Sequence, residues 1–235
     1  TPAVAEQGTW YGWPSQNTAQ PKILQDEQGR VRRLRTPVMD LQGLMTPTHL
    51  FYVVQHFDVP APQRHEDWHL TISGAVERPL TLTYDDLRRL PARTVRTVME
   101  CSGSDADFFE YSKREKARPS RTKEGMILSA GEFTGVPLAA VLAQAGLAPH
   151  AAHIRAEGWD RGVPATATPG TTPFYYDKGL PLEKALHPDT IIAWAQNGEL
   201  LEHLHGAPAR LLVPGWSGNW SVKWLWKLEV LEEPP

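Results

Sequence analysis

Apolar and polar residues alternate in several short runs, which predicts a chain rich in β-strands. The clearest run is "DWHLTISGAV", residues 67–76, where polar residues separate Trp68, Leu70 and Ile72, and Gly74 marks a turn. A period of two is typical of a strand with one buried face. The same composition predicts strands in "LFYVV", "RTVRTVMEC", "IIAWAQ", "ARLLVPG" and "VKWLWKLEVL". "HIRAEGWDRGV" predicts a strand that leads into a turn of Gly and Asp.

Helices are few and short in this pattern. "LTYDDLRRLP" predicts one helix, which Thr83 caps and Pro91 ends. "GVPLAAVLAQAGL" predicts a second, with Pro137 near its first turn and Gly146 at the position after its last turn. "PLEKAL" predicts a single helical turn, and Asn197-Gly198 predicts a hairpin turn. Short strands with few helices between them indicate a mixed-sheet α+β fold.

The periodic pattern begins only after the first 45 residues. Residues 1–45 combine Trp10, Trp13 and Pro14 with a polar stretch, and they predict an extended arm packed on a core. Residues 46–235 then form the main domain, which begins at Thr46-Pro47. Charge without a clean period in residues 106–124 predicts an exposed excursion. We find no repeat of fixed period.

Charge and hydropathy exclude several classes of partner. The net charge is −3, and 24 basic and 27 acidic residues are spread along the chain, so we expect no nucleic acid or anionic membrane as partner. No apolar run approaches the roughly 18 residues of a membrane span. The opening "TPAVAEQGTW" suits a mature end left by cleavage and equally a trimmed chain. A small molecule or another protein is the expected partner.

The only cysteine, Cys101, lies in "MECSGSD" at the end of a predicted strand. One cysteine excludes an internal disulfide and a CxxC pair, and the chain has no C-x-x-C-H haem motif. A free cysteine is often a small buried hydrophobic residue. The turn formed by Ser102, Gly103 and Ser104 favours the alternative, a thiolate that ligates a soft metal at the strand end. The pattern does not decide which face Cys101 takes.

A second candidate region is "EHLHGAPARLLVPGWSGNWSVKWL", residues 202–225. It brings His203, His205, Arg210 and Lys223 close together in sequence, with glycines that allow close backbone approach. Arginine and lysine are the usual phosphate ligands, so the stretch predicts an anion-binding cradle. The alternative is a solvated hairpin whose basic side chains face water.

Two further polar residues have simple structural interpretations. His56 in "VVQHF" either binds a ligand or bonds to a strand neighbour. Asp160 in "EGWDRG" follows a predicted strand, where a turn-forming role is typical of aspartate.

These motifs together resemble the molybdenum-cofactor domain of sulfite oxidases. The resemblance covers about Thr46 to Val230 and is carried by "ECSG", "GMILSAGEFTGVPLAAVL", "LPLEKALHPDTIIAWAQNGELL" and "HGAPARLLVPGWSGNWSVKWL". It implies a sulfite-oxidase-type fold that binds molybdenum–molybdopterin (Moco). The early "WYGWPS" is more similar to the bacterial sulfite and sulfane dehydrogenase branches, which implies a periplasmic location.

The resemblance also implies site residues. Cys101 would be the metal ligand, and Cys101 and Asp160 the catalytic residues. The residues implied to bind the cofactor are Tyr52, His56, Cys101, Asp160, His205, Arg210, Ser221, Val222 and Lys223.

The implied activity is oxygen-atom transfer on a small sulfur-containing or related oxo substrate. Electrons would pass to a separate cytochrome c-type acceptor, because the chain has no haem motif. The sequence stops before the positions of the family's active-site tyrosine and immunoglobulin-like dimerisation domain, so either the branch lacks that domain or the given sequence omits it. A homo-oligomer is compatible with the resemblance. Two alternatives stay open at this point: a pterin-binding subunit without turnover, and a hydrolase that uses Cys101 with His56 or His205.

The sequence departs from the family where the substrate-binding arginines are expected. Val54 stands at one such position, and Asp105 or Ala106 at another. A bound oxoanion needs fixed cations nearby. The candidates to replace them are Arg114, Arg118, Arg121 and Arg161.

Overall fold

The computed structural model describes residues 22–25, 31–104, 113, 126–164 and 167–235, and these contain short strands with few helices. The strands are β1 (Lys22–Gln25), β2 (Val31–Arg35), β3 (Val53–Val54), β4 (His69–Gly74), β5 (Leu80–Thr83), β6 (Arg93–Glu100), β7 (Leu128–Pro137), β8 (His153–Gly162), β9 (Phe174–Pro181), β10 (Ile191–Gln196), β11 (Glu199–Leu200), β12 (Arg210–Leu212) and β13 (Leu225–Leu231). The helices are α1 (Tyr84–Arg89), α2 (Leu138–Ala145) and α3 (Leu182–Ala185). The predicted α+β class is confirmed.

Backbone contacts divide the chain into two compact units. Unit 1 draws on Thr1–Gln55, Arg96–Glu132 and Gly215–Gly218, and unit 2 on His56–Val95, Phe133–Pro214 and Asn219–Pro235. The predicted division into an arm of residues 1–45 and a domain of residues 46–235 stays a prediction. The predicted excursion at residues 106–124 lies outside the described residues apart from Lys113. No described helix has the length and apolar character of a membrane span.

Unit 2 contains a five-stranded sheet in the order β5-β4-β13-β8-β9. Only the β13–β4 pair is parallel. Alternation in β4 buries Leu70 and Ile72 completely and leaves His69 exposed, as the sequence predicts. The buried face is completed by neighbouring strands, with Ile154, Ala156, Leu228 and Val230 at most 1% exposed.

The two predicted helices form where the capping residues indicate. Thr83 Oγ1 accepts a hydrogen bond from the Asp86 backbone N–H at 3.1 Å, and the Asp86 carboxylate accepts one from the Thr83 N–H, which completes a capping box at α1. Pro137 precedes α2, and Gly146 ends it with a φ of +69°. Helix α2 buries Leu138, Val141, Leu142 and Ala145.

A second sheet has the order β11-β10-β7-β6, and β12 pairs with the other part of β10. Strand β10 is buried along Ile191–Trp194, which explains its continuous apolar sequence. Asn197 (φ 55°) and Gly198 (φ 85°) turn the chain from β10 into β11, as predicted.

Unit 1 contains the antiparallel sheet β1-β2-β3. "LFYVV" forms a strand only at Val53–Val54, because a 3₁₀ turn occupies Thr48–Leu50. The hydroxyls of Thr36 and Ser129 lie 2.6 Å apart, and Ser129 Oγ accepts a hydrogen bond from the Tyr52 N–H at 2.9 Å. These buried polar contacts fix the segment that carries Tyr52.

Candidate functional site

Cys101 lies in unit 1, immediately after β6. Its N–H donates to the Ile127 carbonyl at 3.0 Å, and its own carbonyl accepts from the Ser104 N–H at 2.8 Å. The thiol is free and the residue is 8% exposed, so the structure resolves the face that the sequence left open. The 3₁₀ turn Ser102–Ser104 follows it. The sulfur is therefore held on a defined backbone at the end of a strand.

A glycine loop of unit 1 contacts the same strand end. Ser217 Oγ lies 3.3 Å from the Glu100 carbonyl oxygen and 3.1 Å from Ser102 Oγ. A Cβ on Gly218 would overlap the Tyr52 hydroxyl oxygen and would lie 3.1 Å from Met99 Cγ. Only glycine fits at this position, and the close approach brings the tip of Tyr52 to the residues that precede Cys101.

The basic residues of unit 2 are largely buried rather than solvated. Arg210 is 4% exposed and donates from Nη1 to the His205 carbonyl and from Nη2 to the Ser221 carbonyl, both at 2.9 Å. Ser221 Oγ accepts from the Val213 N–H at 3.0 Å. These bonds join β12 to the turns on either side of it. The alternative of a solvated hairpin is wrong, because His205 and Ser221 are only 3% and 4% exposed.

Lys223 is half-buried beside this group. Its Nζ donates to the Leu204 carbonyl at 3.2 Å and lies 4.3 Å from the centroid of the Trp224 ring. A Cβ on Gly206 would lie 2.9 Å from the Lys223 Cβ, so the glycine allows the two segments to approach closely. The ammonium is thus positioned by a carbonyl and an aromatic face.

Asp160 is in a strand, not in the turn that the sequence predicts. The register of β8 against β9 shifts between Glu157 and Arg161, and pairing resumes at Arg161–Tyr175, so β8 continues past Asp160. Asp160 is 5% exposed, and its Oδ1 has no hydrogen-bond partner in the described part of the chain. A Cβ on Gly158 would lie 2.7 Å from this oxygen and 2.6 Å from the Lys223 carbonyl oxygen.

The environment moves the pKa values of both charged groups. Burial raises the pKa of Asp160 to about 6, and the nearby charge of Lys223 partly opposes this rise. Burial lowers the pKa of Lys223 to about 7, the charge of Arg210 lowers it further, and Asp160 opposes the fall. Both groups therefore titrate near neutrality, where a small change of environment alters their charge.

The histidines of unit 2 differ in exposure. His205 Nε2 lies 3.7 Å from a Glu202 carboxylate oxygen. His203 Nε2 lies 2.9 Å from the Pro60 carbonyl oxygen, and burial lowers its pKa. His56 is exposed and stacks on Tyr176, with ring centroids 4.9 Å apart. Within the described ranges, no cluster of three or more His, Cys, Asp or Glu side chains forms a metal site.

The residues predicted from the sequence thus fall into both units. Tyr52 and Cys101 are in unit 1, and unit 2 contains His56, Asp160, His205, Arg210, Ser221, Val222 and Lys223. Sequence reasoning missed Gly158 and Ser217. A glycine inside a strand pattern is a signal of close backbone approach, which identifies Gly158 in retrospect. No comparable signal marks Ser217.

Comparisons with known proteins show which family the chain belongs to. Residues 56–235 match the family "Oxidoreductase molybdopterin binding domain". Mitochondrial sulfite oxidase of Mus musculus is 33% identical over 202 residues, which cover 84% of this chain and 35% of that protein. Nitrate reductase [NADH] of Ulva prolifera is 33% identical over 205 residues, which cover 82% of this chain and 22% of that protein. The chain therefore spans about a fifth to a third of the length of these curated relatives.

A solved structure is also similar. The sulfane dehydrogenase SoxCD from Paracoccus pantotrophus superimposes with a TM-score of 0.76 at 30% sequence identity, and the match covers 92% of this chain and 51% of that one. The fold and the matched sequence together define the class of domain, which is an oxidoreductase domain of the molybdopterin-binding type. The chain belongs to the oxidoreductase molybdopterin-binding domain family, which includes the sulfite oxidases and nitrate reductases. Because the chain belongs to this oxidoreductase family, the alternative of a Cys–His hydrolase is rejected.

Proposed function

We propose that this chain binds molybdenum–molybdopterin and catalyses oxygen-atom transfer on a small sulfur-containing substrate. The observation that carries the proposal is the buried basic group of unit 2. Arg210 and His205 are almost fully buried, and Lys223 lies half-buried beside them. Basic side chains removed from water favour a bound anion, and the phosphate of a pterin cofactor supplies one.

The residues present fit such a cofactor on independent grounds. The buried Asp160 Oδ1 has no partner among the described residues, although a buried carboxylate normally accepts hydrogen bonds. The N–H groups of a pterin ring would satisfy it. Gly158 leaves space beside this oxygen that any Cβ would fill. In unit 1, the free Cys101 thiol offers a soft sulfur donor of the kind that molybdenum prefers.

Each proposed ligand then has a defined part. Cys101 binds the metal through sulfur. Arg210, Ser221 and Lys223 hold the phosphate end, and the rigid turn at His205 orients the pterin. Tyr52, His56 and Val222 complete the surroundings of the cofactor, as the resemblance implies. Asp160, with a pKa of about 6, accepts hydrogen bonds as a carboxylate above that pH and holds a proton at its carboxyl group below it.

When bound, the cofactor supplies the oxygen-atom transfer and the two-electron redox chemistry, and the protein supplies position and charge. Similarity to a sulfane dehydrogenase supports a sulfur substrate. The similarity to the sulfane dehydrogenase SoxCD also supports an external cytochrome c-type electron acceptor. We also propose a periplasmic location, from the same bacterial similarity, and assembly as a homo-oligomer.

Metal analysis with a matched pair of variants tests the proposal. We expect close to one molybdenum and one pterin per purified chain, and at least a tenfold loss of molybdenum in Cys101→Ser. Ser102→Ala, an exposed neighbour on the same turn, should retain the metal. Turnover is then measured with sulfite and thiosulfate, and with ferricyanide or cytochrome c as acceptor.

Two results would change the conclusion. Equal molybdenum in wild type and Cys101→Ser would contradict the role of the thiol. Stoichiometric cofactor without electron transfer from any sulfur compound would favour the second candidate, a pterin-binding subunit without turnover. The observation that favours this second candidate is Val54, which stands where the family resemblance predicts a substrate-binding arginine.

A further inference from the structure

Unit 1 contains a buried cation that no described group neutralises. Arg35, the last residue of β2, is 7% exposed. Its Nε and Nη1 are buried, and neither has a hydrogen-bond acceptor in the part of the chain that the structure describes. Removing a guanidinium from water without an acceptor or an opposite charge is costly, so a buried arginine is normally paired. Among the described residues, the guanidinium therefore lacks the anion that its burial favours.

Strand register places Arg35 on the face of Val54. Arg33 is the direct partner of Val54 across the β2–β3 pair, and partners in an antiparallel pair share a face. Arg35 lies two residues beyond Arg33 and so points to the same side. Strand β2 thus places Arg33 and Arg35 on the same face as Val54. The family resemblance predicts an arginine on this face, at position 54 itself.

The same face leads to the strand end that carries Cys101. Tyr52 precedes Val54 by two residues and shares its face, and its hydroxyl reaches Gly218 beside Met99. A second route is the backbone. Thr36, which follows Arg35, exchanges two hydrogen bonds of 2.8 Å with Met126, and the next residue, Ile127, accepts the Cys101 N–H.

The other candidate cations are less suitable. Arg114, Arg118 and Arg121 lie outside the described residues. Arg161 is exposed, donates from Nε to the Pro173 carbonyl at 3.2 Å, and has its guanidinium carbon 5.5 Å from the centre of the Tyr175 ring.

We propose that Arg35, assisted by Arg33, binds a small inorganic oxoanion in unit 1 and replaces the arginine that Val54 displaces. A guanidinium presents two parallel N–H groups that match two oxygens of a sulfur oxoanion. The part of this inference that makes the oxoanion a substrate rests on the proposed function, whereas the binding site itself does not.

Sulfate binding to the molybdenum-loaded protein tests the site. Isothermal titration with sodium sulfate, against sodium chloride at equal ionic strength, should show saturable binding. Arg35→Gln should weaken sulfate binding at least tenfold. Arg35→Lys should weaken it severalfold, because lysine keeps the positive charge but lacks the paired N–H groups of the guanidinium. Arg32→Gln is the matched control, since it removes the same charge from the opposite face of β2 and should change the affinity less than twofold.

Thermal unfolding adds a readout that a purely structural arginine would not give. Sulfate should raise the unfolding midpoint of the wild type and of Arg32→Gln more than that of Arg35→Gln, beyond the general salting effect that all variants share. If Arg35→Gln does not fold, Arg35→Lys supplies the comparison. Equal sulfate affinity in all folded variants, or no saturable binding to the wild type, would overturn the inference.

Molybdenum analysis on the same samples separates the two proposals. Bound molybdenum with sulfate binding that does not depend on Arg35 contradicts the site and leaves the proposed function standing. Protein purified without molybdenum that still binds sulfate through Arg35 contradicts the proposed function and supports the site.

Discussion

Asp160 and Lys223 lie within Coulombic range of each other in unit 2, and burial moves their pKa values toward one another, to about 6 and about 7. Each charge partly stabilises the other, but desolvation is the larger effect for both. The pair is therefore held in the fold at a cost in stability. A cost of this kind is typical of a functional site.

Replacing Lys223 by Met should change stability in a pH-dependent way. The pKa of Lys223 in the folded state lies below its usual value of 10.5. The free-energy cost of burying its charge is therefore fully present below pH 7, and it disappears as the pH rises toward 10.5. Lys223→Met should therefore stabilise the fold at pH 6 by roughly 1–3 kcal/mol. At about pH 10 the gain should vanish, because little of the cost remains there. Urea unfolding at both pH values measures this, and a pH-independent difference would contradict it.

Gly158→Ala should destabilise the fold of unit 2. The added Cβ would lie 2.6 Å from the Lys223 carbonyl oxygen and 2.7 Å from Asp160 Oδ1, so the backbone or the carboxylate must move. We expect a loss of about 1–3 kcal/mol in the free energy of unfolding, together with reduced molybdenum content. Gly103→Ala is the control, because its Cβ would meet its nearest neighbour, Ile127 Cδ1, at 3.4 Å. Similar losses in the two variants would sink this prediction.

Gly218 and Tyr52 should show energetic coupling. Gly218→Ala places a methyl group onto the Tyr52 hydroxyl, and Tyr52→Phe removes that hydroxyl. The glycine substitution should therefore cost less in the Tyr52→Phe background than in the wild type, by about 0.5–3 kcal/mol. A double-mutant cycle of urea unfolding measures the difference. Strict additivity would show that the Cβ clashes elsewhere, with Met99 Cγ or the Glu100 carbonyl as the nearest atoms.

Arg210→Lys should weaken the proposed anion-binding cradle although it keeps the charge. Lysine cannot bond to the His205 and Ser221 carbonyls at once with the planar fork of arginine. The loss of these buried bonds should lower the free energy of unfolding by about 1–3 kcal/mol and increase cofactor loss during dialysis. Arg89→Lys, at an exposed pair with Asp86, should change stability by less than about 0.5 kcal/mol. Equal cofactor retention in both variants would be evidence against the bracing role.

Local sequence signals predict much of this fold because local chemistry determines them. The alternation in β4, the capping box at Thr83, and Gly146 after α2 each act over a few residues, and each prediction is confirmed. Asp160 was misplaced because the pairing of Arg161 with Tyr175, which extends β8, depends on a distant segment. Residues that follow a bulge are difficult to assign from one strand alone.

The site was predicted less completely than the fold. The basic group of residues 205–223 is visible as a motif, but its burial is not, because burial depends on the bonds from Arg210 to two separate turns. The burial of Arg35 is not predicted, because the residue lies in the polar stretch of the predicted arm and arginines are ordinarily exposed. Its burial is apparent only from the sheet it occupies and from Thr36–Met126 pairing.

Arg210 donates to main-chain oxygens at 205 and 221, so these two bonds do not depend on which side chains occupy the positions, whereas the bond from the Val213 N–H to Ser221 Oγ does. A substitution at 205 would therefore leave both bonds of Arg210 in place. We therefore expect the side chain at 205 to vary more readily among proteins of this fold than the arginine does.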